Sequence, residues 1–121
     1  MSAWVWVGVA LLGGLGASAR FVLDGALSTR SSGSFPVGTF AINITGAMLL
    51  GLLAGLEATG ATLVLVGTAT LGSYTTFSTW MLESHRLTED ADVAGATLNV
   101  LASLAVGIGA AAIGRAIGAH A

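Results

Sequence analysis

Residues 71–80 read LGSYTTFSTW, and the reading of this stretch decides the fold. Six of its ten side chains carry a hydroxyl, yet it lies inside a run, 58–82, that holds no charged residue. An uncharged run of that length reads as a membrane crossing. Its centre looks like the lining of a polar site.

Three further uncharged runs, 1–19, 31–56 and 93–114, accompany it. Each approaches or exceeds the roughly 20 residues that a helix needs to cross the hydrocarbon core. Composition agrees: of 121 residues 55% are hydrophobic and 8% charged, and the mean hydropathy is +0.89. Soluble domains are about 25% charged, and ten charged residues cannot cover a water-facing surface. The expectation is an all-α, multi-pass membrane protein. It forms one domain, 1–121, with four transmembrane helices over 3–22, 36–57, 61–84 and 92–116. The opening MSAWVWVGVALLGG lacks the positive n-region of a signal peptide and reads as a retained first span. Pro36 suits the start of the second helix, Glu57 to Ala61 a tight turn, and ESHRLTEDAD (83–92) the last connection.

Several function classes drop out. Without cysteine there are no disulfides or thiolate metal sites. Four Arg and no Lys, at net charge −2, leave no basic patch for nucleic acid. His85 and His120 lie outside the uncharged runs and no acid lies mid-span, so no enzyme is expected. Coupled transporters usually carry an ionisable group within the membrane, and here all ten charges fall at or beyond the ends of the runs. This argues against the small multidrug exporters, which are similar in length and span number but carry a glutamate in the first span. Arg20, Arg30 and Arg86 fall on one side and Arg115 on the other, a weak positive-inside bias compatible with insertion in either orientation.

Neutral polar groups inside the spans remain. In GTFAINITGAMLLG (38–51), Asn43 reads either as an interhelical hydrogen bond or as an amide donor facing an aqueous path. In the third span, Gly beside several β-branched residues weakens a helix. Carbonyls freed at membrane depth must be buried in protein or line a cavity, where they can hold a cation. Phe77 and Trp80, three apart, read either as aromatic packing or as ring edges, with an indole N–H, offered to an anion. Asn99 and Ser103 share a helix face and read as a polar track or as a second hydrogen-bonding seam. Gly51-x-x-x-Gly55 and Gly114-x-x-x-Gly118 mark close helix packing. At the span ends, Arg20–Asp24 and Glu83–Arg86 read as local ion pairs.

GTFAINITGAMLLG and LGSYTTFSTW resemble the two signature segments of the Fluc (CrcB) family of fluoride channels, and GGLGASARF (13–21) resembles that family's first-span ending. The resemblance implies an antiparallel, dual-topology dimer with two fluoride pathways along the subunit interface. It implies a pathway through Asn43 and Phe77, with Thr76, Ser78, Thr79 and Ser103 along it, and with Trp80 where the family usually has Phe. It also implies a third helix broken at its centre, with backbone carbonyls at Gly72 and Thr75 holding a structural sodium ion at the two-fold axis. The family usually has another Gly just before the Thr pair; Ser73-Tyr74 stands there here.

The expected function is passive fluoride efflux across a prokaryotic inner (plasma) membrane. The partners are fluoride, sodium, lipid and either a second copy or a related chain. Two alternatives stand beside it: a non-conducting structural subunit, and one half of a heteromeric fluoride channel.

Overall fold

The computed structural model describes all residues, Met1–Ala121, and they form helices and turns without a strand. Helix α1 (Ala3–Arg30) starts at Ser2, whose Oγ accepts the Val5 amide at 3.3 Å, a side-chain cap for an otherwise orphaned donor. Helix α2 (Val37–Gly55) follows Pro36, whose carbonyl accepts the Phe40 amide. The next segment, α3 (60–74), is composite: a turn Gly60–Thr62, a π-helical stretch Leu63–Leu71, and a turn Gly72–Tyr74. Helix α4 (Ser78–Glu89) resumes after three non-helical residues, and α5 (Val93–Ala119) starts at Asp92, whose Oδ1 accepts the Gly95 amide at 2.9 Å.

Three helices, α1, α2 and α5, are long and apolar enough to cross a membrane. The protein is therefore a multi-pass membrane protein. Contact register supplies the directions. Gly8 lies against Leu65 and Gly16 against Thr70 and Ser73, so α1 runs parallel to α3. Asn43 meets Thr76, while Gly67 lies against Leu50 and Leu53, so α2 runs antiparallel to α3–α4. Gly51 and Gly55 lie on the carbonyls of Ala111 and Arg115, and Gly114 and Gly118 on those of Met48 and Leu52, so α2 and α5 are parallel. Four alternating passes fit these directions.

The α2–α5 seam is where glycine is indispensable. A Cβ at Gly51, Gly55, Gly114 or Gly118 would run into the backbone of the facing helix. Bare glycine lets the two backbones close up and gain dispersion contacts, the main source of helix association where lipid offers no hydrophobic drive. Polarity is distributed accordingly. The largest fully buried side chains are Ile42, Asn99 and Thr39, whereas Trp4, Phe21 and Ile108 are 83%, 81% and 70% exposed.

Two boundaries differ from the sequence reading. Helix α1 continues to Arg30 and α4 to Glu89, taking in residues expected to be loop. Charge ends the hydrocarbon crossing but not the helix, because Arg and Glu are good helix formers in water.

Candidate functional site

The local structure of 71–80 decides how its hydroxyls are used. Ser73 Oγ donates to the Ala69 carbonyl at 2.6 Å and Thr75 Oγ1 to the Leu71 carbonyl at 3.0 Å. Both turn back on their own helix, a common alternative for Ser and Thr. Tyr74 Oη lies 2.9 Å from Thr45 Oγ1 on α2. Thr70 Oγ1 donates to the Leu65 carbonyl five residues back at 2.7 Å, a span that suits the π-helical geometry.

Helical bonding stops at Thr75, whose ψ of 162° is extended. Asn43 holds the chain there with both ends of its amide. Its Nδ2 donates to the Thr76 carbonyl at 2.8 Å, and its Oδ1 accepts the Thr76 amide at 2.9 Å. Asn43 thus replaces a peptide group opposite Thr76. One amide N–H of Asn43 remains for another acceptor, since the group has two. The Thr76 amide is diverted from the Gly72 carbonyl, its i−4 position. The Thr79 amide goes to Thr76 Oγ1 at 3.1 Å rather than to the Thr75 carbonyl. Arg20 Nε donates to the Ser73 carbonyl at 3.2 Å. A break of this kind therefore has three caps: Asn43, Thr76 and Arg20.

An open groove of about 450 Å³ runs along this break between α2, α3, α4 and α5. Asn43, Gly72, Thr75, Thr76, Phe77, Trp80 and Ser103 all line it, and no charged side chain does. Ser78 and Thr79 do not; Ser78 is exposed, with Oγ 3.4 Å from Thr76 Oγ1. Phe77, 71% exposed, meets Trp80 edge-on, with centroids 5.8 Å apart and planes at 83°. Edge-to-face contact directs the positive ring edge of one partner at the negative face of the other. Ser103 Oγ has no hydrogen-bond partner.

Several expectations change. The Trp80 indole N–H is engaged: Nε1 donates to the Asn99 carbonyl at 3.2 Å, so it is not a free donor in the groove. Asn99 belongs to a seam, with Nδ2 donating to Ser84 Oγ at 2.8 Å, and Ser84 Oγ donating to the Trp80 carbonyl at 2.9 Å. Neither Arg20–Asp24 nor Glu83–Arg86 forms an ion pair; His85 Nε2 instead contacts Glu89 on the exposed side of α4. Arg20 turns inward to Ser73 because the broken helix offers it a carbonyl. Sequence reasoning missed Ser84, although its position one turn after Trp80 was a usable signal, and it missed Tyr74 as a link to α2.

Residues 7–115 match the family described as CrcB-like protein, Camphor Resistance (CrcB). The chain belongs to this family. A protein of Mycolicibacterium paratuberculosis named fluoride-specific ion channel FluC 2 is 51% identical over 111 residues, covering 92% of this chain and 91% of the relative. A Mycobacterium tuberculosis protein of the same name is 47% identical, covering 92% and 88%. A Leifsonia xyli protein named fluoride-specific ion channel FluC 1 is 43% identical over 123 residues, covering 98% and 89%.

Proposed function

We propose that this chain is a subunit of a fluoride-selective channel that lowers cytoplasmic fluoride by passive efflux. The observation that carries the reading is the groove itself, where Asn43, Phe77, Trp80 and Ser103 meet beside a helix break without a charged side chain. Fluoride is small, strongly hydrated and a strong hydrogen-bond acceptor. Neutral donors and ring edges can replace its water without holding it too tightly to leave. The names of the relatives supply the choice of fluoride over other small anions.

Weak acid that enters as HF dissociates in the neutral cytoplasm, and the trapped anion leaves down its electrochemical gradient. That role belongs in a bacterial inner membrane. The pathway runs through Asn43, Thr76, Phe77, Trp80 and Ser103, with Ser78 and Thr79 at its edge. The groove is open along one side and Phe77 is mostly exposed, so a second chain is needed to close it. An antiparallel dimer does this, with the break in the third span at its centre. Relatives carrying the numerals 1 and 2 support a second reading, in which the partner is a related chain rather than a second copy.

The residues fit a structural sodium ion. The carbonyls of Gly72 and Thr75 are among those at the break without a helical amide: the Thr76 amide goes to Asn43 Oδ1 and the Thr79 amide to Thr76 Oγ1. Oxygen dipoles freed in this way are hard ligands suited to a small hard cation. When bound, the ion would offset the converging carbonyls at the dimer centre.

The experiment is growth rescue. A fluoride-sensitive bacterium without its own exporter should grow in fluoride when it makes this chain, and should not when it makes the Asn43→Asp variant. Absence of rescue by membrane-inserted wild-type chain contradicts the homodimer reading, and rescue restored by a co-expressed related chain supports the heteromer.

A further inference from the structure

Ser103 is 92% buried by its 8% exposure, yet its hydroxyl has no partner. A serine in a membrane helix commonly donates to a carbonyl three or four residues back, here Val100 or, at i−4, Asn99. The Asn99 carbonyl is already full. Inside α5 it takes the Ser103 amide, as an i−4 carbonyl does, and a carbonyl oxygen has only two lone pairs. The second is taken by the Trp80 indole at 3.2 Å. Beside it the fully buried Asn99 side chain donates to Ser84 Oγ at 2.8 Å, and Ser84 Oγ donates to the Trp80 backbone carbonyl at 2.9 Å, tying α5 to the backbone that carries the indole.

We propose that Trp80 sets the state of Ser103: by occupying the Asn99 carbonyl, the indole N–H keeps the Ser103 hydroxyl as an uncommitted donor at the groove. The proposal rests on the channel reading for its functional consequence. It gives the tryptophan a role that a phenylalanine cannot perform, since Phe has no N–H. The Ser103 Oγ is sheltered beneath the groove wall, so the donor becomes available to a passing anion by rotation about χ1. Ser84 and the Asn99 side chain link the two helix backbones between which the indole bond is made.

The coupling has two readouts, measured on the four proteins of a cycle: wild type, Trp80→Phe, Ser103→Ala and the double variant. The first is the thermal unfolding midpoint. In the wild-type background Ser103→Ala deletes a buried, unbonded hydroxyl and should leave the midpoint unchanged or raise it. In the Trp80→Phe background the hydroxyl returns to Asn99, so the same deletion should lower it. The second is fluoride efflux from liposomes. Ser103→Ala should slow it about tenfold beside Trp80, and the further loss in the Trp80→Phe background should shrink below twofold. Equal effects of Ser103→Ala on the midpoint in both backgrounds, or equal effects on efflux where the wild type conducts, overturn the coupling. If wild-type protein passes no fluoride while the midpoint still reverses, the channel reading falls and the coupling between Trp80 and Ser103 stands.

Discussion

Asn43 and Thr76 are joined by two hydrogen bonds, 2.8 Å from Nδ2 to the Thr76 carbonyl and 2.9 Å from the Thr76 amide to Oδ1. A side-chain amide thereby stands in for a missing helical neighbour at membrane depth, where an unsatisfied peptide group is costly. The same residue leaves one N–H toward the groove. On the proposed function, support of the break and recognition of an anion would be combined in one side chain.

Asn43→Asp separates those two roles from a neutral polar filler. A carboxylate still accepts the Thr76 amide but cannot donate to the Thr76 carbonyl, and it adds a negative charge to the groove. We expect a stability loss of about 1–3 kcal/mol from the unsatisfied carbonyl. Fluoride efflux should fall by about 100-fold, equivalent to about 2.7 kcal/mol in barrier. Thermal unfolding and efflux measured on the same preparation check both; unchanged flux would remove Asn43 from the pathway.

Phe77→Ile tests whether the aromatic edge matters or only its bulk. Within one chain Phe77 is largely exposed and its aromatic contact is Trp80, so the fold should tolerate the change. Assembly by size-exclusion chromatography should persist while efflux drops more than about tenfold, or 1.4 kcal/mol. Intact flux would favour a purely structural role for the aromatic pair.

The glycine seam gives a stability contrast. Gly51→Ala places a methyl group against the Ala111 carbonyl, an overpacking against backbone that should cost about 1–3 kcal/mol. Gly25→Ala in α1 meets nothing within 4 Å and should stabilise by up to about 1 kcal/mol through helix propensity. Unfolding in denaturant should show the two shifts with opposite sign.

Sodium removal tests the carbonyls of Gly72 and Thr75. An ion bound only by the folded dimer adds RT ln(1 + [L]/Kd), about 2.7 kcal/mol at 100-fold over Kd. Replacing sodium with N-methylglucamine should lower the unfolding midpoint and slow efflux, with sodium restoring both. A midpoint indifferent to sodium would remove the ion from the account.

Much of this was legible in the sequence, and for physical reasons. Lipid leaves a strong imprint, because charges are kept out of the crossings, so the four uncharged runs and the seam glycines Gly51 and Gly114 could be read directly. The crowding of Gly and hydroxyl residues in 71–80 marked an unusual segment. Its inner geometry was not legible. Gly72 is itself helical, with φ −62° and ψ −37°, and the chain leaves the helix only at Thr75. The position is set by Asn43 on another helix. The π-helical stretch Leu63–Leu71 was not legible, because an uncharged apolar run reads as a membrane crossing without fixing its helical pitch. The engagement of the Trp80 indole depends on a carbonyl 19 residues away, at Asn99. Long-range partners of this kind leave no local pattern.

The central claim is a selective, uncharged route for fluoride. Liposomes holding only this purified chain, loaded with equal fluoride and chloride, should release fluoride through an ion-selective electrode record while chloride stays inside. Equal release of both anions, or none from a well-folded dimer, would contradict the account.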